Sequence, residues 1–487
     1  MRRPKREFFL IKSFTRRYDK RENKFIINIA YETAVEPTSR IKGVAEAFGL
    51  GLDQQKFIIY DNVELKIGPT DIVYITGESG SGKSALLKAI KEDLGQEATD
   101  LAEIQPNPEK PIIETVGKNL SQALELLSKA GLNDAFILTR RCKELSDGQK
   151  YRYKIAKLME KSKKWWIADE FCSILDRDTA KIVAYNLQKT ARKMHKALIV
   201  ATTHTDLFQD LNPTVHIHKS FGKEIKVNYY PNKPAEECSL VKEMHIEEGT
   251  LQDYKKLSQF HYRSVHCQTP RKIFTLKRGE EACGVIVYSH PPPTMPGRNK
   301  VWKGNIKKLQ KEISTITRVV IHPKYRAIGL GQKLVKETLT KAGTPYVETL
   351  AVMAKYNPFF EKAGMQKITE SQPNKHLLKA IEELQKLGFN PAMLGSINHN
   401  IEKIKHANKE KIIKILKTLS KRNPNIRKRL ISSKKAYPTQ KEFATKIKRL
   451  NEEGLAKILK TISFLSQTKV YLFWKNPENQ TKRQTDI

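Results

Sequence analysis

Residues 71–94 read DIVYITGESGSGKSALLKAIKEDL, and this stretch decides the fold of the first half of the chain. DIVYIT is an apolar run of strand length, and SALLKAIKEDL carries helical spacing. Between them, Gly77-Glu-Ser79-Gly80-Ser-Gly82-Lys83-Ser84 fits the pattern GxxxxGK[ST] in full. A strand that enters a glycine-rich turn and leaves as a helix aims backbone N–H groups and a helix N-terminus at one point, which is how a chain holds phosphate. Lys83 brings a cation to the outer phosphates, and the Ser84 hydroxyl reaches toward Mg2+. The expected phosphate contacts are therefore Gly77, Ser79, Gly80, Gly82, Lys83 and Ser84.

Further along, WWIADE (165–170) is an apolar strand ending in two acids. Asp169 suits the Mg2+ shell and Glu170 suits polarising a water. ALIVATTH (197–204) is a second apolar strand, with His204 at its exit, and Leu145-Ser146-Asp147-Gly148-Gln149 precedes both. From about 57 to 230, apolar strands alternate with helical patterns, the mark of an α/β layer. Taken in order, these segments resemble the ABC-type ATPases over roughly residues 40–225. LSDGQ stands for their signature, Gln105 for their Q-loop, Ser173-Ile-Leu-Asp176 for their D-loop and His204 for their switch histidine.

The resemblance implies ATP and Mg2+ as cofactors, with Ser84, Gln105 and Asp169 around the metal and Glu170 and His204 in catalysis. It also implies that Ser146, Gly148 and Gln149 contact ATP held by a second copy, hence a head-to-tail homodimer. The aromatic that stacks on adenine stays open between Phe57 and Tyr60. Lys83 lies 22 residues before Gln105 and 63 before Ser146. Transporter heads of this family carry a longer insertion there, and no run of about 18 apolar residues is present to span a bilayer. The resemblance thus favours a soluble switch with no transmembrane partner over a head subunit serving a separate permease.

A second site is expected at 316–334, ITRVVIHPKYRAIGLGQKL. Again an apolar strand ends in a glycine-bearing loop that opens a helix, so N–H groups converge on one point. Arg326-Ala-Ile-Gly329-Leu-Gly331, with YNPFFEKAGM at 356–365 and the strand CGVIVYS at 283–289, resembles the GNAT-type acyltransferases over about 240–370. That resemblance implies acetyl-CoA, or another acyl-CoA, held by Arg326, Gly329, Gly331 and Asn357. Backbone N–H groups of Val319, Val320 and Ile321 would polarise the thioester, and Tyr356 would act as general acid. His261, Tyr262, His290 and Arg298 flank the core strand and are candidates for contacting the acceptor. An ABC head followed by a GNAT unit and a basic helical tail resembles the archaeal ABC-type ATPases fused to a predicted acetyltransferase.

The expected architecture is α/β: a basic N-terminal β-hairpin (1–40), a P-loop ABC ATPase domain (41–230), a GNAT α/β domain (240–372) and a basic all-α C-terminal module (375–487). The 487 residues carry 89 Lys+Arg against 52 Asp+Glu, a formal charge of +37. Such an excess repels itself unless polyanions offset it. Residues 375–487 hold 26 Lys and Arg against nine Asp and Glu, on helices that keep an apolar stripe. A nucleic acid partner, DNA or RNA, is expected. Five scattered cysteines without metal-ligand spacing fit a reducing cytoplasm. The function expected is an ATP-coupled N-acyltransferase acting on nucleic acid. The alternatives are an ATP-regulated transferase of proteins or small molecules, and a nucleic-acid clamp with a non-catalytic GNAT domain.

Overall fold

The computed structural model describes residues 9–33, 38–51, 56–261, 269–421, 424–431 and 438–477. Tyr262 lies outside these, as do Arg2, Arg3, Lys5 and Arg6 at the start of the basic N-terminal segment. The chain divides into two compact units, the first built from 1–266, 273–286 and 319–334, the second from 267–272, 287–318 and 335–487.

In the first unit, β1 (Phe9–Asp19), β2 (Lys24–Thr33) and β3 (Lys56–Lys66) form an antiparallel sheet in that order. A second sheet contains β4 (Ile72–Gly77), β5 (Ala98–Asp100), β6 (Trp165–Ala168), β7 (Ala197–Ala201), β8 (Val215–Lys219) and β9 (Ile225–Tyr229), ordered β5-β6-β7-β4-β8-β9. Only β9 runs antiparallel to its neighbour. All six residues of β4 are buried, as suits a central strand covered on both faces. Its side chains alternate between two cores. Val73 and Ile75 join Ile199, Trp165 and Ile167 under the helix Lys83–Leu94. Ile72 and Tyr74 join Leu198, Val200 and Trp166 under the helices Asp147–Met159 and Arg177–Lys193.

The N-terminal hairpin is not a separate segment as expected. Phe25, Ile27 and Ile29 alternate inward along β2 and share a core with Ile75, Leu86 and Trp165. Phe25 stacks on Tyr18, and both meet Trp165 edge-on.

The remaining strands are β10 (Met244–Glu248), β11 (Pro270–Arg278), β12 (Glu281–Ser289), β13 (Ile313–Ile321), β14 (Tyr346–Ala351), β15 (Gln366–Ser371) and β16 (Lys469–Lys475). They are hydrogen-bonded in the order β10-β11-β12-β13-β14-β16-β15. Within the first unit β10 pairs antiparallel with β11. Within the second unit β13 and β14 are parallel, while β16 is antiparallel to both β14 and β15.

The last strand departs from the helical reading of 375–487. KVYLFWK is a short, aromatic and β-branched run with Val470–Phe473 buried, and it returns to the sheet between β14 and β15. Antiparallel neighbours are ordinarily joined by two to five residues or so. Here the whole helical stretch from Lys375 to Leu465 is inserted between β15 and β16. The insertion keeps its own core of Leu377, Leu384, Leu416, Phe443, Leu455 and Leu459.

Arg298 also departs from expectation. It is buried rather than presented to an acceptor, and its Nε and Nη2 donate to Glu348 at 3.0 and 2.6 Å. Glu348 is fully buried and also accepts from Thr315 Oγ1 and Tyr471 Oη. Arg298 Nη1 donates to the Pro293 carbonyl, so this cluster nails the loop HPPPTMPGR to β14 and β16. Removing one partner of a buried pair strands the other charge. Arg298→Met should therefore lower stability by about 3–5 kcal/mol in urea unfolding, whereas Lys300→Ala, at an exposed neighbour, should stay within about 0.5 kcal/mol.

Candidate functional site

Strand register assembles the first site. Ile75 lies opposite Ala201, and Val200 lies opposite Ala168, so β4, β6 and β7 end together. Gly77–Ser84, Asp169–Glu170 and His204 leave from that one edge, the C-terminal edge where α/β sheets bind ligands. Gly77 is still paired with Lys219 of β8, at φ 146°. A Cβ there would stand 2.0 Å from the Lys219 carbonyl oxygen, so no other residue fits. The Lys83 ammonium folds back over the loop, donating to the carbonyls of Gly77 (2.9 Å) and Glu78 (2.7 Å). Burial draws its pKa down, and the carboxylates of Asp169 and Glu170 oppose that shift. Lys83, Asp169 and Glu170 thus share one electrostatic neighbourhood.

The site fits a nucleotide by its own geometry. Ser81 Oγ is buried beside the loop with no hydrogen-bond partner, and Ser79, Gly80 and Ser84 are exposed at the start of the helix Lys83–Leu94. Among the described residues no cluster of three or more His, Cys, Asp or Glu side chains could hold a metal ion. A magnesium ion here would rest on Ser84, Gln105 and Asp169 together with phosphate oxygens. Glu170 sits in the left-handed region, φ 44°, with its N–H donating to Asp169 Oδ1 at 2.9 Å. Strained backbone of this kind gathers at functional sites. The His204 carbonyl accepts from Tyr74 Oη, and its N–H donates to Thr202 Oγ1. Gln105 is exposed in the coil after Ile104.

The signature residues are occupied locally. Ser146 and Gln149 form a reciprocal capping box at the start of the helix Asp147–Met159. The Gly148 carbonyl accepts from Arg152 Nε at 3.2 Å. Of the two aromatics left open for the base, Tyr60 is buried and donates to the Gly82 carbonyl at 3.0 Å, while Phe57 is 49 % exposed. Tyr60 therefore braces the loop. Lys219, which no motif marks, is fully buried above the Tyr60 ring and donates to the carbonyls of Ser220 and Gly222.

The second loop lies in the first unit. A short helix, Pro323–Tyr325, leads into it, and Ala327 (φ 71°) and Gly329 (φ 87°) turn the backbone left-handed before the helix Leu330–Thr338. The Arg326 guanidinium is committed to carbonyls: Nε to Ile321 (2.9 Å), Nη1 to Asn133 (2.6 Å) and Nη2 to Phe260 (3.5 Å). The Arg326 side chain thus braces the loop against the protein's own backbone. Within the second unit β13 and β14 pair only from Ile313↔Tyr346 to Thr315↔Glu348. Beyond that register β13 runs on to Val319, Val320 and Ile321.

Tyr356 is half-buried and closes the turn Met353–Lys355, with exposed Asn357 after it, both in the second unit. His290 Nδ1 meets Arg271 and Gln310, each at 3.1 Å. His261 is half-buried in the first unit.

A model of the acetyltransferase (GNAT) family matches residues 239–365. The chain is 29% identical over 223 residues to the probable ABC transporter ATP-binding protein p29 of Mesomycoplasma hyorhinis, covering 35% of this chain and 88% of that one. It is 31% identical over 167 residues to the cytochrome c biogenesis ATP-binding export protein CcmA of Gluconobacter oxydans, covering 31% of this chain and 76% of that one. Among solved structures, a dimeric ATP-binding cassette in a post-hydrolysis state with ADP and phosphate aligns at 19% identity. It covers 37% of this chain and 94% of that one, with a TM-score of 0.30.

The clash at residue 77 can be tested. Gly77→Ala should weaken nucleotide binding at least tenfold, about 1.4 kcal/mol, when titrated with a fluorescent ATP analogue. Unchanged affinity would mean that the loop does not hold the phosphates.

Proposed function

Since this chain belongs to the ATP-binding cassette family and carries a GNAT-family acetyltransferase domain, we propose that it is an ATP-driven N-acyltransferase whose acceptor is a nucleic acid. The reading is supported above all by the pairing, in one chain, of two glycine-bearing loops at strand–helix junctions with a basic helical insertion between β15 and β16. The cassette residues act in fixed roles. Gly77–Gly82 and Lys83 bind and orient the phosphates, Ser84, Gln105 and Asp169 would hold a magnesium ion, and Glu170 and His204 orient the attacking water. Bound magnesium supplies charge neutralisation on the phosphates. Ser146, Gly148 and Gln149 meet nucleotide held by a second copy, in a head-to-tail homodimer.

On the transferase side, an acceptor amine attacks the thioester carbonyl carbon. The N–C bond forms, the C–S bond breaks, and the proton that the amine gives up passes through water to replace the one that Tyr356 delivers to the leaving thiolate. N–H groups of Val319, Val320 and Ile321 steady the oxyanion, the loop at Gly329 and Gly331 with Asn357 holds acetyl-CoA or another acyl-CoA, and Tyr356 returns a proton to the thiolate. His261, Tyr262 and His290 are the candidates for contacting the acceptor; Arg298 is no longer one, since it is buried against Glu348. The Lys and Arg residues of the helical insertion neutralise phosphates without reading sequence. The expected setting is the cytoplasm, with no transmembrane partner. A second reading, a nucleic-acid clamp with a non-catalytic transferase domain, draws support from the commitment of Arg326 to carbonyl oxygens.

Glu170→Gln should slow ATP turnover about a hundredfold or more while retaining ATP, and it should sediment as a dimer only with magnesium and ATP. In that state DNA or RNA binding should weaken steeply with salt. Binding that ignores salt would remove nucleic acid as the acceptor. Tyr356→Phe should lower acetyl transfer by about 10²-fold or more and leave ATP hydrolysis intact. The reverse pattern in a coupled assay would overturn the division of roles between the two domains.

A further inference from the structure

Three consecutive residues, Lys324, Tyr325 and Arg326, form the entrance to the second loop, and the first unit grips them from two directions. Lys324 Nζ lies 2.5 Å from Asp178 Oδ2, and the same oxygen accepts from Arg278 Nη1 at 2.8 Å. Asp178 is only 17 % exposed and stands in the first turn of the helix Arg177–Lys193. The residues just before it belong to the ATP site. Asp176, in the D-loop-like segment, caps the helix through the Thr179 N–H at 3.0 Å. Arg177 pairs with Asp206, two residues beyond His204, with Nε donating at 2.9 Å. Adjacent side chains of one helix turn thus hold the segment after His204 on one side and the entrance to the second loop on the other.

The other grip comes from the signature. Arg152 donates both to the carbonyl of Gly148, inside LSDGQ, and to that of Gly131 at 2.8 Å. Two residues on, the Asn133 carbonyl accepts from Arg326 at 2.6 Å, and Asn133 Oδ1 accepts from Ser128 Oγ. Between the two grips Tyr325 is fully buried, with its hydroxyl donating to Glu281 at 2.9 Å. The entrance segment therefore cannot swing freely. A displacement of the signature-bearing segment relative to the helix 177–193 must be absorbed across Lys324–Arg326, directly before the left-handed turn at Ala327.

We propose that Asp178 is a positioning residue through which the nucleotide state of the cassette sets the conformation of the loop Arg326–Gly331. This rests on the reading of that loop as the acyl-donor site. The burial of Asp178 alone would raise its carboxyl pKa; Lys324 and Arg278 more than offset this and hold it below the ordinary aspartate range, so the anchor stays charged at neutral pH. Coupling between two sites is reciprocal in binding free energy, so acetyl-CoA must alter ATP affinity by the same factor by which ATP alters affinity for acetyl-CoA.

The test uses the full chain carrying Glu170→Gln, which keeps ATP bound, and follows backbone hydrogen exchange over residues 322–333 with and without magnesium and ATP. Exchange should change at least about threefold on adding ATP, and affinity for acetyl-CoA should shift by about fivefold or more. Adding Asp178→Asn, or Lys324→Met in a parallel variant, should abolish both changes while ATP affinity stays as it was. An ATP effect on exchange that is absent in the parent, or that survives both substitutions undiminished, overturns the proposal. A loop that responds to ATP through Asp178 in a chain that binds no acetyl-CoA would leave the coupling standing and overturn only the acyl-donor reading.

Discussion

The first site depends on one close approach. Gly77 remains in register with Lys219, and the carbonyl of Lys219 fills the space a side chain would need. The loop that follows is therefore fixed at its start by a strand pair. Its far end is fixed as well, because the Tyr60 hydroxyl donates to the Gly82 carbonyl, and the Lys219 ammonium lies over the Tyr60 ring. Lys219 and Tyr60 come from strands of two different sheets, β8 and β3, so the six residues from Gly77 to Gly82 are stapled at both ends by partners distant in sequence. Preorganisation of this kind lets backbone N–H groups meet charge without reorganising. It also accounts for the core position of the N-terminal hairpin. β2 pairs with β3, which carries Tyr60, so the strands before residue 40 help to build the nucleotide loop.

What was legible in the sequence follows from what a motif encodes. Gly77–Ser84 could be read because the local backbone demands those residue types, and the ends of β6 and β7 because apolar strands stop abruptly at Asp169 and His204. The loop at Arg326–Gly331 was legible for the same reason, as a glycine-bearing turn between a strand and a helix. Partnerships across the chain leave no such trace. Nothing near Arg298 announces Glu348, fifty residues on, and an arginine in a Pro-rich loop looks like a surface residue until a buried carboxylate is known to wait for it. Asp178 and Lys219 were invisible for the same reason. KVYLFWK carries a strand pattern, but a hundred residues of helix separate it from the strands it joins, and proximity in sequence misled the reading of the tail.

The return of β16 changes how the basic helices relate to the transferase sheet. β15 and β16 are neighbours, so the insertion leaves and re-enters the sheet at strands about 4.8 Å apart. A loop with closed ends tolerates added length cheaply, since closure entropy grows only with the logarithm of residue number. A module with its own core can therefore sit in a hairpin without disturbing the pairing of β16 with either neighbour. Arg298, Glu348 and Tyr471 then acquire a second meaning. Tyr471 lies on β16, beyond the insertion, and its hydroxyl completes the coordination of Glu348. The Arg298–Glu348 pair lies wholly before the helical stretch, and only its third partner, Tyr471, waits for the chain to come back.

That topology also gives the charge a location. Of the +37, the excess of 26 cations over nine anions in residues 375–487 falls largely on a body that is held at two adjacent points and is not needed for the sheet's own hydrogen bonding. Its helices turn Leu and Ile inward: Ile412, Ile415, Leu416 and Leu419 are buried, while Lys411, Lys414 and Lys421 face solvent. Most of these lysines have no acidic residue close enough in sequence to form helical pairs with them, and surface pairs would contribute little in any case. Self-repulsion on such a face is relieved by a polyanion and not by the folding of the module itself. The positive charge of this module is thus carried by residues that its packing does not require, since the core is closed by apolar side chains.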